Sequence, residues 1–82
     1  MSNKEQLEQL QARQVELQTI MARSDAHAAK CIKLGKRFST EYPEEKTAYE
    51  AANAEYNANE IRIAELEAAI ALEEETEALG AE

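Results

Sequence analysis

Apolar and small residues recur at helical spacing through the first half of the chain. Leu10, Leu17, Met21, Ser24, Ala28, Cys31, Gly35 and Phe38 fall within about a third of the circumference of a helix, with Leu7, Ile20 and Ile32 at its margins. In the second half, Tyr49, Ala52, Tyr56, Asn59, Ile63, Leu66 and Ile70 follow one narrow line in alternating steps of three and four, the spacing of a coiled-coil seam. Each half therefore predicts one long helix with one face to bury, and the two faces are natural mates.

Glycine and proline are confined to Gly35, Pro43 and Gly80. The stretches between them are rich in Glu, Gln, Ala, Leu, Lys and Arg, all good helix formers. Pro43 suits a first helical position, where its missing N–H costs nothing, and Glu44 and Glu45 behind it suit the positive end of the helix dipole. The expected architecture is all-α: an antiparallel two-helix hairpin in a single domain over residues 1–82. Helix 1 is expected over about residues 4–39, a turn over about 40–42, helix 2 over about 43–78, and a frayed acidic end over 79–82. A competing boundary ends helix 1 at Leu34, with Gly35 as its C-terminal cap.

A turn at 40–42 places residues whose numbers add to about 84 opposite each other. That register sets Gly35 near Tyr49, Ala28 near Tyr56, Ser24 near Asn59 and Met21 near Ile63, so that small residues meet large ones. Tyr42, Tyr49 and Tyr56 repeat every seven residues; the last two are expected to fill the seam, and Tyr42 to staple the turn.

Charge changes the picture by distinguishing the halves. Residues 1–40 carry seven Lys or Arg against four acids, a net of +3, and residues 41–82 carry two against thirteen, a net of −11. Helix 1 should prefer helix 2 over a copy of itself, and two copies of helix 2 should repel.

Helix 2 has more apolar surface than one seam can bury. Ala54, Ile61, Ala68, Leu72 and Leu79 recur opposite the Ile63, Leu66 and Ile70 line. A two-helix rod of 82 residues has only a thin core, so this stripe is expected to meet another chain. That chain is either a second copy completing a four-helix bundle or a different protein. Isolated exposed apolar residues are the plainer explanation.

Two charged surfaces accompany it. Arg23, Lys30, Lys33, Lys36 and Arg37 form a basic patch near the turn, to be read either as an anion contact or as a face balanced by Glu41, Glu44, Glu45, Glu50 and Glu55. With a net charge of −8, nucleic acid is not the expected partner. Glu65, Glu67, Glu73, Glu74, Glu75, Glu77 and Glu82 make the other end anionic. They serve as a solubilising surface or, alternatively, as a carboxylate rod that occupies the basic groove of a nucleic-acid enzyme.

Chemistry is sparse. His27 and Cys31 are four residues apart, but two ligands do not make a structural zinc site. There is no phosphate-binding glycine loop and no nucleophile elbow. No cofactor, small-molecule substrate, membrane span or catalysis is expected. A single cysteine and a polar N-terminus suit a cytoplasmic address. The function expected is protein–protein interaction, by an oligomerising or adaptor module.

Overall fold

The computed structural model describes residues 1–80. They form three helices: α1 over Asn3–Lys33, α2 over Phe38–Glu41 and α3 over Pro43–Gly80. The two long helices pack against each other in a rod of 67 × 20 × 15 Å.

α1 begins where Ser2, in an extended conformation, accepts a hydrogen bond from the Glu5 backbone N–H at 3.2 Å, satisfying one of the donors that a helix start leaves open. It ends earlier than 39. Gly35 adopts φ +70°, the Gly35 N–H bonds the Ile32 carbonyl at 3.1 Å, and the Lys36 N–H bonds that of Cys31 at 2.8 Å. This left-handed glycine closure satisfies the last carbonyls and stops the helix. The longer boundary near Ser39 is thereby corrected to the competing one at Leu34. Apolar spacing continues through Gly35 to Phe38, but a left-handed glycine outweighs it.

The connection is also longer than residues 40–42. It runs over 34–42 and contains the single turn α2. Tyr42 stacks on His27 of α1, with ring centroids 4.6 Å apart and planes 5° from parallel, and Phe38 packs on Tyr42 with centroids 5.7 Å apart. His27 Nδ1 donates to the Glu45 carboxylate of α3 at 2.7 Å. Tyr42 thus fastens the connection to α1, and His27 carries the link on to α3.

α3 starts at Pro43 as its sequence suggests and continues to Gly80. Leu79 and Gly80 are therefore helical, while residues 81 and 82, part of the expected frayed end, lie outside the described residues.

The early end of α1 resets the pairing. Contacts join Asn3 to Glu73, Lys4 to Glu74, Arg13 to Glu55, Gln14 to Asn59 and His27 to Glu45, pairs whose numbers add to between 68 and 78. The expected value of about 84 followed from placing the turn too late, so Ser24 does not meet Asn59.

The faces themselves are as the spacing implies. Positions 7, 10, 14, 17, 21, 24, 28 and 31 of α1, and 45, 49, 52, 56, 59, 63, 66 and 70 of α3, are buried or half-buried. Both sets alternate in threes and fours, the spacing of a coiled-coil seam. Leu17 and Leu66 are each only 1% exposed. Ile32 and Ile20, expected at the margins, are exposed.

Candidate functional site

The middle of the seam is polar. Gln14, 6% exposed, donates from Nε2 to the Tyr56 carbonyl and to Glu60 Oε1, both at 3.0 Å, and its Oε1 accepts from Asn59 Nδ2 at 3.0 Å. Beside it, Arg13 grips Glu55 with two hydrogen bonds, Nε to Oε2 at 2.6 Å and Nη2 to Oε1 at 2.9 Å. The Arg13 hydrogen bonds hold the Glu55 carboxyl below its ordinary range, and the Glu55 and Glu16 carboxylates raise the guanidinium further above its own. Gln18 donates to the Tyr56 hydroxyl at 3.1 Å, so Tyr56 fills the seam and bonds at its edge. A fully bonded polar layer of this kind specifies which residues face each other. Gln14 is absent from the apolar pattern that identifies the seam. Its position between Leu10 and Leu17, with Asn59 in the matching line of α3, was the available signal.

Seam positions nearer the connection are less well satisfied. Ser24 is 2% exposed and its hydroxyl has no hydrogen-bond partner among the described residues. It lies at a shallow, open depression of about 380 Å³ lined also by Ala28, Phe38, Lys46 and Tyr49. Cys31 is buried and free. No group of three His, Cys, Asp or Glu side chains able to hold a metal ion occurs among the described residues.

Exposed apolar side chains form one line on the outward face of α3, besides Val15, Ile20, Ile32 and Leu34 elsewhere on the rod. Ile61, Leu72 and Leu79 are 66%, 64% and 70% exposed, and Ala54 and Ala68 are exposed in the same line. Successive steps of seven, seven, four and seven residues keep all five on one side of the helix, opposite Ile63, Leu66 and Ile70. The acidic residues Glu65, Glu67, Glu73, Glu74, Glu75 and Glu77 are all exposed. Glu73 accepts from Asn3, Glu74 pairs with Lys4 at 3.6 Å, and Glu65 with Arg62 at 3.5 Å. Glu67, Glu75 and Glu77 have no ion pair among the described residues. α3 outruns its mate here: Asn3, the first residue of α1, contacts Glu73, so the last turns of α3 project past α1.

The basic patch divides cleanly from the other cations. Lys4, Arg13, Lys46 and Arg62 all form ion pairs, whereas Arg23, Lys30, Lys33, Lys36 and Arg37 form none among the described residues. Of the five acids expected to balance the patch, Glu45 is engaged with His27, Glu50 with Lys46 and Glu55 with Arg13, while Glu41 and Glu44 form no ion pair among the described residues. Arg23, Lys30 and Lys33 lie on the side of α1 turned away from the seam, too far round the helix to reach α3.

Among the described residues, no helix is long and apolar enough to cross a membrane. No protein-family model, curated protein or solved structure matches this chain.

Proposed function

We propose that the chain is an antiparallel helical hairpin whose work is to bind another protein chain through the outward face of α3. The observation that carries this reading is the exposed line of Ile61, Leu72 and Leu79, continued by Ala54 and Ala68, on a helix whose opposite side is already closed. Isolated exposed apolar residues are ordinary, but three large ones in one line, spaced as a coiled-coil seam, form a surface that a second helix covers without rearrangement. Burying each of those side chains stabilises a complex by about 1.5–3 kcal/mol before the costs of association.

The seam supports a further point about assembly. Leu17 and Leu66 are already shielded by the opposite helix, so an added hairpin lies against the outer side of α3. Four helices then stand side by side, in contrast to a bundle that shares one central core.

The test compares the purified chain with Leu72→Glu, which places a charge in the middle of the exposed line. Circular dichroism establishes that both are equally helical. Sedimentation reads self-association, and chemical crosslinking in a source-cell extract reads foreign partners. Association of the parent chain in either arm, lost in the variant, supports the reading; two chains that behave alike in both arms refute it.

A second reading is favoured by the projecting end of α3, where Glu73, Glu74, Glu75 and Glu77 extend along and beyond the start of α1. A carboxylate rod of this kind would enter the basic groove of a nucleic-acid-processing enzyme as an inhibitor. Changing these four residues to Gln would abolish such binding, and the parent complex would weaken as salt rises. Salt-insensitive binding would exclude it.

A further inference from the structure

Building on the interaction reading above, we propose that the occupant of α3's outward face is the outward face of α1 in a second copy, so that chains add side by side in an open series. Charge selects this partner. The cations on the far side of α1 have no ion pair among the described residues. Of the carboxylates beside Ile61 and Leu72, Glu50 and Glu65 pair only within α3, with Lys46 and Arg62, while Glu75 pairs with none among those residues. Glu50, Glu65 and Glu75 stand in the same line of α3 as Ile61 and Leu72, so a second α3 laid on this face would meet carboxylates with carboxylates. The half of α1's outward face nearer the connection has the opposite character, while Glu8 and Glu16 stand on the other half. That nearer half carries Arg23, Lys30 and Lys33, with Lys36 and Arg37 just beyond its end, and these are the five cations without an ion pair among the described residues. Acid on one face and unspent base on the other make α1 the complementary surface.

Shape agrees with charge. The line of α1 beside these cations runs through Val15, Ala22, Ala26 and Ala29, all exposed. Small side chains let a helix approach closely enough for Ile61 and Leu72 to be covered. One antiparallel placement serves both requirements: setting Arg23 beside Glu65 brings Ile61 over Ala26 and Leu72 over Val15. Heptad spacing on both helices produces this coincidence.

The arrangement does not close on itself. The outward faces of α1 and α3 lie on opposite sides of the rod, so one neighbour covers only one of them. Each added copy presents the same two faces again, which is the geometry of heterologous, open association.

Two variants, each spoiling one face, test the proposal by sedimentation of the purified full chain from micromolar to millimolar concentration. The parent should show a weight-average mass that climbs past the dimer as concentration rises and falls back as salt is added. Leu72→Glu, on the α3 face, and Ala26→Glu, on the α1 face, should each weaken association by about tenfold or more. Mixed in equal amounts they should form a heterodimer that grows no further, because each supplies the face that the other lacks. Circular dichroism checks that both variants keep their helix content. Ala26→Glu remaining a discrete dimer, with association strengthened by salt, would establish α3-to-α3 contact and overturn the proposal. A parent that stays monomeric throughout would also overturn it. Either result leaves the broader interaction reading to its own test, which fails only if Leu72→Glu changes neither self-association nor capture of a foreign chain.

Discussion

Replacing Gln14 and Asn59 by Leu, singly and together, would measure how much the polar layer does for the fold. Gln14 is 6% exposed and its amide takes part in three hydrogen bonds, all at 3.0 Å. Asn59→Leu leaves Gln14 Oε1 with no donor in a nearly closed site, at a cost of about 1–3 kcal/mol. The new Leu offsets part of that by adding apolar area to the seam. Gln14→Leu leaves Asn59 Nδ2 with only the Glu55 carboxylate at 3.5 Å, a long and weak contact. The double variant has neither orphan and a continuous apolar line from Leu10 through Leu17, so it should be at least as stable as the parent. The two changes should therefore be non-additive by about 1–2 kcal/mol, read from urea denaturation of all four chains followed by helical circular dichroism. Additive effects would mean that the two amides do not face each other in solution. A slip of one heptad moves Gln14 opposite Ala52 or Leu66, neither of which can bond its amide, so the layer also disfavours shifted pairings. In the double variant that penalty is gone and slipped pairings should become populated, visible as a broader transition with a reduced slope.

Three further changes probe other elements. Ser24→Ala removes a buried hydroxyl without a partner and introduces a better helix former; it should raise stability by up to about 1 kcal/mol, and a loss would reveal a bond to the hydroxyl. Gly35→Ala meets no neighbour within 4 Å but forces a left-handed conformation on a residue with a Cβ, so the urea midpoint should fall by the equivalent of about 1 kcal/mol. A neutral result would place the end of α1 beyond Leu34. Because the folded-state value of Glu55 is depressed by Arg13, the pair contributes stability that is fully present above the ordinary Glu value and is lost as pH falls through the folded one. Glu55→Gln should therefore flatten the acid limb of a melting-temperature profile, and an unchanged limb would show that the pair adds nothing in solution.

The parts of this architecture legible in the sequence are those that depend on one helix at a time. Steps of three and four select the buried side of each long helix whatever it packs against, so Leu17, Cys31, Ala52, Ile63 and Leu66 could be assigned to the interior before any pairing was known. Register depends on where one helix stops, and there two local signals competed. Apolar spacing carried helix 1 on through Gly35 to Phe38, while Gly35 offered a left-handed closure that satisfies carbonyls within its own turn. Local closure prevailed, and the cross-helix partners shifted by about six to sixteen residues, or roughly two to four helical turns. Gln14 and Arg13 escaped notice for a related reason. A polar residue in a seam is recognisable only when its partner is opposite, and the late turn set Asn59 against Ser24. The outward faces escaped that error because they have no partner within the chain. Ile61 and Leu72 stand opposite Ile63 and Leu66 by helical geometry alone, and Arg23, Lys30 and Lys33 stand away from the seam by the same geometry. The surface proposed to bind another chain is therefore less sensitive to the register than the seam that holds the two helices together. A substitution that shifts the seam by a heptad should leave the line from Ala54 to Leu79 intact while changing the level at which the cations of α1 stand beside it. If the proposed series of copies is correct, such a variant should still associate: α3 of one copy meets α1 of the next, and their heptad lines are unchanged. Association abolished by a seam shift that preserves helix content would show that binding needs both helices of one copy together, contrary to the single-face contact inferred above.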